Sequence, residues 1–119
     1  MAPYLVRNVI EWEMLGHERL RAWELCHQLV LGVHRVTETW PVHERYGLTS
    51  QVRRAAASAP TNLAEGAPKH GSREFRRYVD IALGSLAETS YLLTLAKDLE
   101  YYPPRTGSLW TNCVRQQED

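Results

Sequence analysis

Between residues 17 and 40, apolar and small positions recur at alternating steps of three and four: Trp23, Cys26, Val30, Val33, Thr37 and Trp40. That spacing gathers them on one stripe of an α-helix, the seam of a helical bundle. Leu25, Leu29 and Val36 widen the stripe, while Glu18, Arg21, Glu24, Gln28 and Arg35 fall mostly off it. Pro41 predicts the end of this helix at about Trp40, because the residue before a proline avoids the helical region. A second helix is predicted from Leu48 to about Ala64, with Thr49 and Ser50 in its first turn. Its inner face is Val52, Ala55, Ala56, Ala59 and Leu63, and the alanines let a neighbouring helix approach closely. Pro60 removes one backbone hydrogen bond, which predicts a kink. Gly66 is placed to stop the helix in a left-handed conformation.

A third helix is predicted from a Ser72 cap to about Leu99, with Glu74 near its positive end. Its seam is Phe75, Val79, Ala82, Leu86, Thr89, Leu93 and Ala96; Tyr78, Ile81, Ser85, Leu92, Leu95 and Leu99 form a second stripe alongside. Leu83, Gly84, Ala87 and Tyr91 extend the apolar girth further. A helix apolar around so much of its circumference is buried on more than one side. In a domain this small the additional side is expected to face another subunit, with Gly84, Ala87 and Tyr91 at that contact. Before these helices, Pro3–Leu15 carries Leu5, Val9 and Trp12 on one face and reads as an extra N-terminal helix within residues 1–16. After them, Pro103 and Pro104 break the pattern, and Ser108 heads a short helix bearing Leu109, Cys113 and Val114 within residues 103–119.

The 119 residues fit one domain. With 44% apolar and 24% charged residues the composition is globular, and the net charge of zero means that no global field draws in a polyanion. Basic surface must therefore be local. Among the positive residues only Lys69 and Lys97 are lysines; the rest are arginines, which suit phosphate forks and interface ion pairs. Cys26 and Cys113 match no metal spacing and read as free thiols in a reducing compartment. The acidic Glu11 and Glu13 and the lack of a basic leader make the N-terminus a poor signal peptide, and no apolar run reaches membrane-spanning length. A cytoplasmic protein without membrane partners is the expectation.

The segments HERLRAWELCHQLVLGVHRVTETWPVHERYGLTSQ, YGLTSQVRRAAASAPTNLAEG and SREFRRYVDIALGSLAETSYLLTLAKDLEYY together cover about residues 17–102. In order and spacing they resemble a bacterial family of four-helix-bundle proteins, the 23S rRNA intervening-sequence proteins, which also includes accessory variability proteins of diversity-generating retroelements. The resemblance implies an all-α, antiparallel up-down bundle over a single domain, residues 1–119. It also implies a homo-oligomer, a pentamer with basic surfaces, some relatives of which act with nucleic acid and a reverse transcriptase. The chain departs from the pattern at His17, where relatives carry an aromatic or apolar residue. It departs again after Pro104, where RTGSLWTNCVRQQED leaves room only for a short or incomplete fourth helix.

The polar constellation with most chemistry is the basic group Arg53, Arg54, Lys69, Arg73, Arg76 and Arg77, set against Glu65, Glu74 and Asp80 over residues 49–80, a local excess of three. At about 100° per residue, Arg73, Arg76 and Arg77 share a face opposite Phe75 and Val79. Such a surface attracts phosphates, and each contact makes binding salt-dependent. The plainer reading is a solvated face in which Arg76 and Asp80 pair at i, i+4. His27 and His34, seven apart, lack the spacing of a helical metal site, so no metal is expected. Adjacent Cys26 and His27 point apart and form no nucleophile pair. Glu88, in an otherwise apolar stripe, would be costly to bury unpartnered, and an arginine partner, within the chain or across a subunit contact, is expected rather than an acid–base role. Trp23 and Trp40 belong to the core rather than to a base-stacking platform. There is no glycine-rich phosphate loop, nucleophile elbow or pair of catalytic carboxylates, so neither an enzyme nor a cofactor is indicated. The resulting expectation is a non-catalytic nucleic-acid-binding or ribonucleoprotein accessory protein that meets RNA or DNA phosphates without reading bases. The rivals are a scaffold that docks a protein such as a reverse transcriptase, and a truncated relative that has lost its function.

Overall fold

The computed structural model describes residues 17–67 and 72–102. The predicted helix at Pro3–Leu15, Lys69 and the segment after Tyr102 lie outside the described residues. Within them are three α-helices and no strand: α1 (His17–Thr37), α2 (Leu48–Gly66) and α3 (Ser72–Asp98), with a short 3-10 turn at Val42–Glu44 between α1 and α2. α2 packs against both neighbours and runs antiparallel to each. On one side, Arg53 meets Thr37 while Leu63 meets Cys26, further back along α1. On the other, Ser58 lies opposite Ser85, and Gly66 lies against Phe75 and Tyr78.

The small residues of α2 set how closely the helices sit. Val52, Ala55, Ala56, Ala59 and Leu63, its predicted inner face, are all buried. Around Ala55 and Ala56 pack Val33, Val36 and Trp40 from the first helix and its end, with Leu92, Leu93 and Ala96 from α3. Around Ala59 and Leu63 pack Cys26 and Ala82, flanked by Leu20, Trp23, Phe75, Val79 and Leu86. Val33 and Val52, both almost wholly buried, each contribute roughly 1.5–3 kcal/mol by leaving water. At one end the Arg19 guanidinium lies 3.9 Å above the Phe75 ring, joining α1 to α3. At the other, Trp40 packs its ring against Tyr101 and Tyr102. Among the described residues the buried indole N–H of Trp40 meets no hydrogen-bond partner. That costs about 1–3 kcal/mol, which the ring contacts partly offset.

Helix ends depart from the periodicity in three places. α1 stops at Thr37, short of the expected Trp40. The Thr37 hydroxyl donates to the Val33 carbonyl at 2.7 Å, the Thr39 hydroxyl donates to Val36, and the chain turns there with Trp40 N–H bonded to Thr37 O. These hydroxyls offer the last carbonyls an alternative to the helical amides, and Trp40 reaches the core from the turn. α2 runs through Pro60 to Gly66, beyond the expected Ala64, and Ala67 continues right-handed with its N–H on Leu63 O. Gly66 is therefore not a left-handed stop. It is buried inside the last turn, where an added Cβ would lie 2.6 Å from the Tyr78 Cβ. The left-handed residue is Glu100, at φ 62°, beyond α3. Around it Glu100 N–H bonds Lys97 O and Tyr101 N–H bonds Ala96 O, the Schellman pattern.

Burial also corrects several side-chain placements. Leu25 is 59% exposed, so it lies outside the α1 seam, and Ile81 and Leu99 lie at the exposed margin of α3. Glu88 is exposed. Leu83, Gly84, Ala87 and Tyr91 all face outward, with Leu83 at 57% and Tyr91 at 64% exposure.

Two substitutions test these end structures by chemical denaturation. Gly66→Ala forces α2 and α3 apart at a contact between two backbone-anchored carbons, and is expected to destabilise by about 1–3 kcal/mol despite alanine's better helix propensity. Glu100→Gly relieves a left-handed side chain and is expected to stabilise by about 1 kcal/mol. An unchanged midpoint for either variant would contradict the corresponding geometry.

Candidate nucleic-acid interface

The antiparallel register divides the basic residues that lie close together in sequence. Arg73, Arg76 and Arg77 are exposed on the first two turns of α3. At about 100° per residue they span an arc of about 100°, with Asp80 one turn further along it. Both Arg76 and Asp80 are exposed, and no ion pair joins them. The same arc continues into Leu83, Gly84, Ala87 and Tyr91, so basic and apolar patches succeed one another along a single outward face of α3.

Arg53 and Arg54 sit near the start of α2, which lies beside the far half of α3. Arg54 is level with Glu88, since both line one cleft. Glu88 is twelve residues from Arg76, or about 18 Å along the axis at 1.5 Å per residue. Arg53 turns towards α1 instead. Its Nε donates to the Thr37 hydroxyl at 2.8 Å and a terminal nitrogen reaches the His34 carbonyl at 3.5 Å. It thus ties the start of α2 to the C-terminal turn of α1, where a cation also complements the helix dipole. The structure gathers Arg73, Arg76 and Arg77 into one patch, leaves Arg54 on a separate surface, and gives Arg53 a structural partner.

The cleft itself was not legible as a site. It opens between α2 and α3 and holds about 440 Å³, with Tyr46, Ser50, Gln51, Arg54 and Glu88 around it. Its floor is a hydrogen-bonded layer: Ser85 Oγ donates to Ser58 Oγ at 2.8 Å, and Asn62 Nδ2 donates to the Ser58 hydroxyl and carbonyl. The available signal was a pair of serines at core-facing positions on neighbouring helices, Ser58 and Ser85, with a charge one turn along each.

The remaining candidates have structural surroundings. Cys26 is a buried free thiol, and burial pushes its pKa up, so it is held in the protonated, unreactive form. His27 stacks on Trp23 with centroids 5.2 Å apart. Among the described residues no three His, Cys, Asp or Glu side chains are grouped to hold a metal ion, and no helix is long and apolar enough to cross a membrane.

Different consequences follow for removing different arginines. Arg53→Ala is expected to cost about 1 kcal/mol of stability by breaking its bond to a buried hydroxyl. Arg73→Ala, on an exposed turn, is expected to change the unfolding midpoint within error. Equal effects in a denaturation series would overturn the distinction.

No curated protein matches the chain. A family model does, over residues 18–116, which takes in nearly all of α1, all of α2 and α3, and fourteen residues beyond Tyr102. That match spans most of the chain, and the chain belongs to the 23S rRNA-intervening sequence protein family.

Proposed function

We propose that this protein is a non-catalytic, homo-oligomeric accessory protein that holds the phosphate backbone of a nucleic acid through the start of α3. The observation that carries the reading is the outward face of α3. Arg73, Arg76 and Arg77 stand exposed on one arc and run directly into an apolar patch of Leu83, Gly84, Ala87 and Tyr91. The apolar patch favours assembly of copies. Small residues at Gly84 and Ala87 allow close approach, and Tyr91 supplies area. In a closed ring, pentameric as the family resemblance implies, the arginine triplet repeats around one rim. That repetition gives a chain of zero net charge a cationic collar. Lys69 adds to the charge available, whereas Arg54 lies on a separate surface and Arg53 is committed to α1. Within this reading α1 to α3 are three members of an up-down four-helix bundle.

The family is named for intervening sequences in 23S rRNA, so RNA is the polyanion to test first. Contacts of this kind position a strand without reading its bases. A second reading rests on the same apolar face, which suits docking of a protein partner such as a reverse transcriptase. Capture of one defined protein after nuclease treatment, with no affinity for bare RNA, would favour it.

Binding of mixed-sequence RNA and DNA across a salt series tests the main reading. Affinity is expected to fall steeply with salt. Charge reversal of Arg73, Arg76 and Arg77 should flatten the log–log slope by about 2 for single strands, at about 0.7 for each phosphate no longer neutralised. Salt-independent affinity, or affinity that survives the reversal, would rule the mechanism out. Solution mass addresses assembly: a multimer is expected for the wild-type chain, with Ala87→Glu shifting it to smaller species. A monomeric wild type would remove the collar.

A further inference from the structure

We propose that the cleft between α2 and α3 receives a single unstacked guanine nucleotide, either free or as one nucleotide of an RNA strand. The inference takes its ligand class from the nucleic-acid reading, but it rests on a different surface from the α3 arginines. The cleft's volume of about 440 Å³ falls in the roughly 300–1,000 Å³ range of small-ligand sites. Its walls carry complementary and unused groups. Arg54 and Glu88 both line it, yet among the described residues neither forms an ion pair. Each is therefore free to meet a ligand.

The chemistry of those groups selects the ligand. Arg54 is a permanent cation with a planar fork suited to phosphate, and the Ser50 hydroxyl lies on the same cleft. Glu88, when ionised, only accepts hydrogen bonds, through two oxygens side by side. Guanine is the RNA base whose pairing edge presents two adjacent N–H donors; the other three set an acceptor beside the donor. Tyr46 borders the cleft at 91% exposure, an aromatic ring held in solvent without a packing role. An unpaired base stacks on such a ring. The floor is hydrogen-bonded within itself: the single Ser85 hydroxyl proton goes to Ser58 Oγ or to the Ile81 carbonyl, and Ser58 Oγ accepts from Asn62 Nδ2. Phosphate on Arg54, base on Tyr46 and pairing edge on Glu88 together use each wall once.

The test titrates the full chain with the four ribonucleoside 5′-monophosphates at fixed salt, by calorimetry or amide shifts. Guanosine monophosphate is expected to bind about tenfold more tightly than the others, the discrimination of one bidentate base contact. Arg54→Ala and Tyr46→Ala should weaken all four, whereas Glu88→Gln should abolish the guanine preference and leave the phosphate-dependent part. Equal affinities, no binding, or a preference that survives Glu88→Gln would overturn the proposal. So would a change of solution mass on Arg54→Glu or Glu88→Arg with no response to nucleotide, which would assign the cleft to a second copy of the chain. Salt-dependent RNA binding through Arg73, Arg76 and Arg77 with no mononucleotide response sinks the cleft alone. Guanosine monophosphate binding without such RNA binding sinks the collar alone and supports the cleft.

Discussion

The closeness of α2 to both of its neighbours constrains everything else in this chain. Ala55, Ala56 and Ala59 bring no bulk to the centre, so the volume is filled from outside by Val33, Val36 and Trp40 on one flank and Leu92 and Leu93 on the other. Gly66 carries the same arrangement to the last turn, where even one carbon would collide with Tyr78. Interiors this close-packed are sensitive to added volume. The polar supports are placed to fit: Arg53 spans to Thr37 on one side and Ser58 to Ser85 on the other. Both bonds require the helix separation that the small residues allow, which couples packing to the polar layer under the cleft.

That central packing also determines where charge can appear. Because α2 is antiparallel to α3, residues close in sequence across the 67–72 connection meet at one end, while Arg53 and Arg54 are carried to the other. A count of basic residues along the chain treats them as a single group; the register splits them. Helix rotation then separates Arg53 from Arg54, since adjacent helical residues diverge by about 100°, one towards α1 and the other towards the cleft. Of the arginines on α2 and α3, only Arg53 is tied to another helix among the described residues.

Periodicity revealed most of the core because burial in a bundle follows a repeat of about 3.6 residues; all five residues predicted for α2's inner face are buried, and Leu48, Thr49, Pro60 and Gly66 extend that face. What it missed has local causes. Thr37 and Thr39 close the end of α1 through hydroxyl bonds that a hydropathy pattern does not register. Gly66 read as a helix stop because glycine serves both left-handed turns and close approaches, and only the position of Tyr78 distinguishes them. Glu100 adopts the left-handed turn without being glycine, so no residue-type signal marked it. Glu88 was expected to need an arginine partner because its stripe is apolar on either side. The packing against α2 continues past it to Leu92, Leu93 and Ala96, but Glu88 sits about 100° around the helix from the buried Thr89, which leaves its carboxylate exposed on the rim. Leu25 shows the converse, a large apolar residue one position outside the contact.

The outward face of α3 poses a question of order along one helix. From Arg73 to Tyr91 the axis advances about 27 Å, with charge in the first two turns and apolar surface in the next three. A partner that covers Leu83, Gly84, Ala87 and Tyr91 excludes water up to the level of Asp80 and leaves the arginines just beyond its edge. There they would keep their hydration and avoid the desolvation penalty that a buried cation would carry. The reverse order, with arginines amid the apolar patch, would set assembly against charge. Asp80 lies at the junction, on the same arc as both patches. In the proposed assembly its carboxylate would limit like-charge repulsion among neighbouring arginines, so the proposed phosphate-holding patch would not by itself oppose the association of copies.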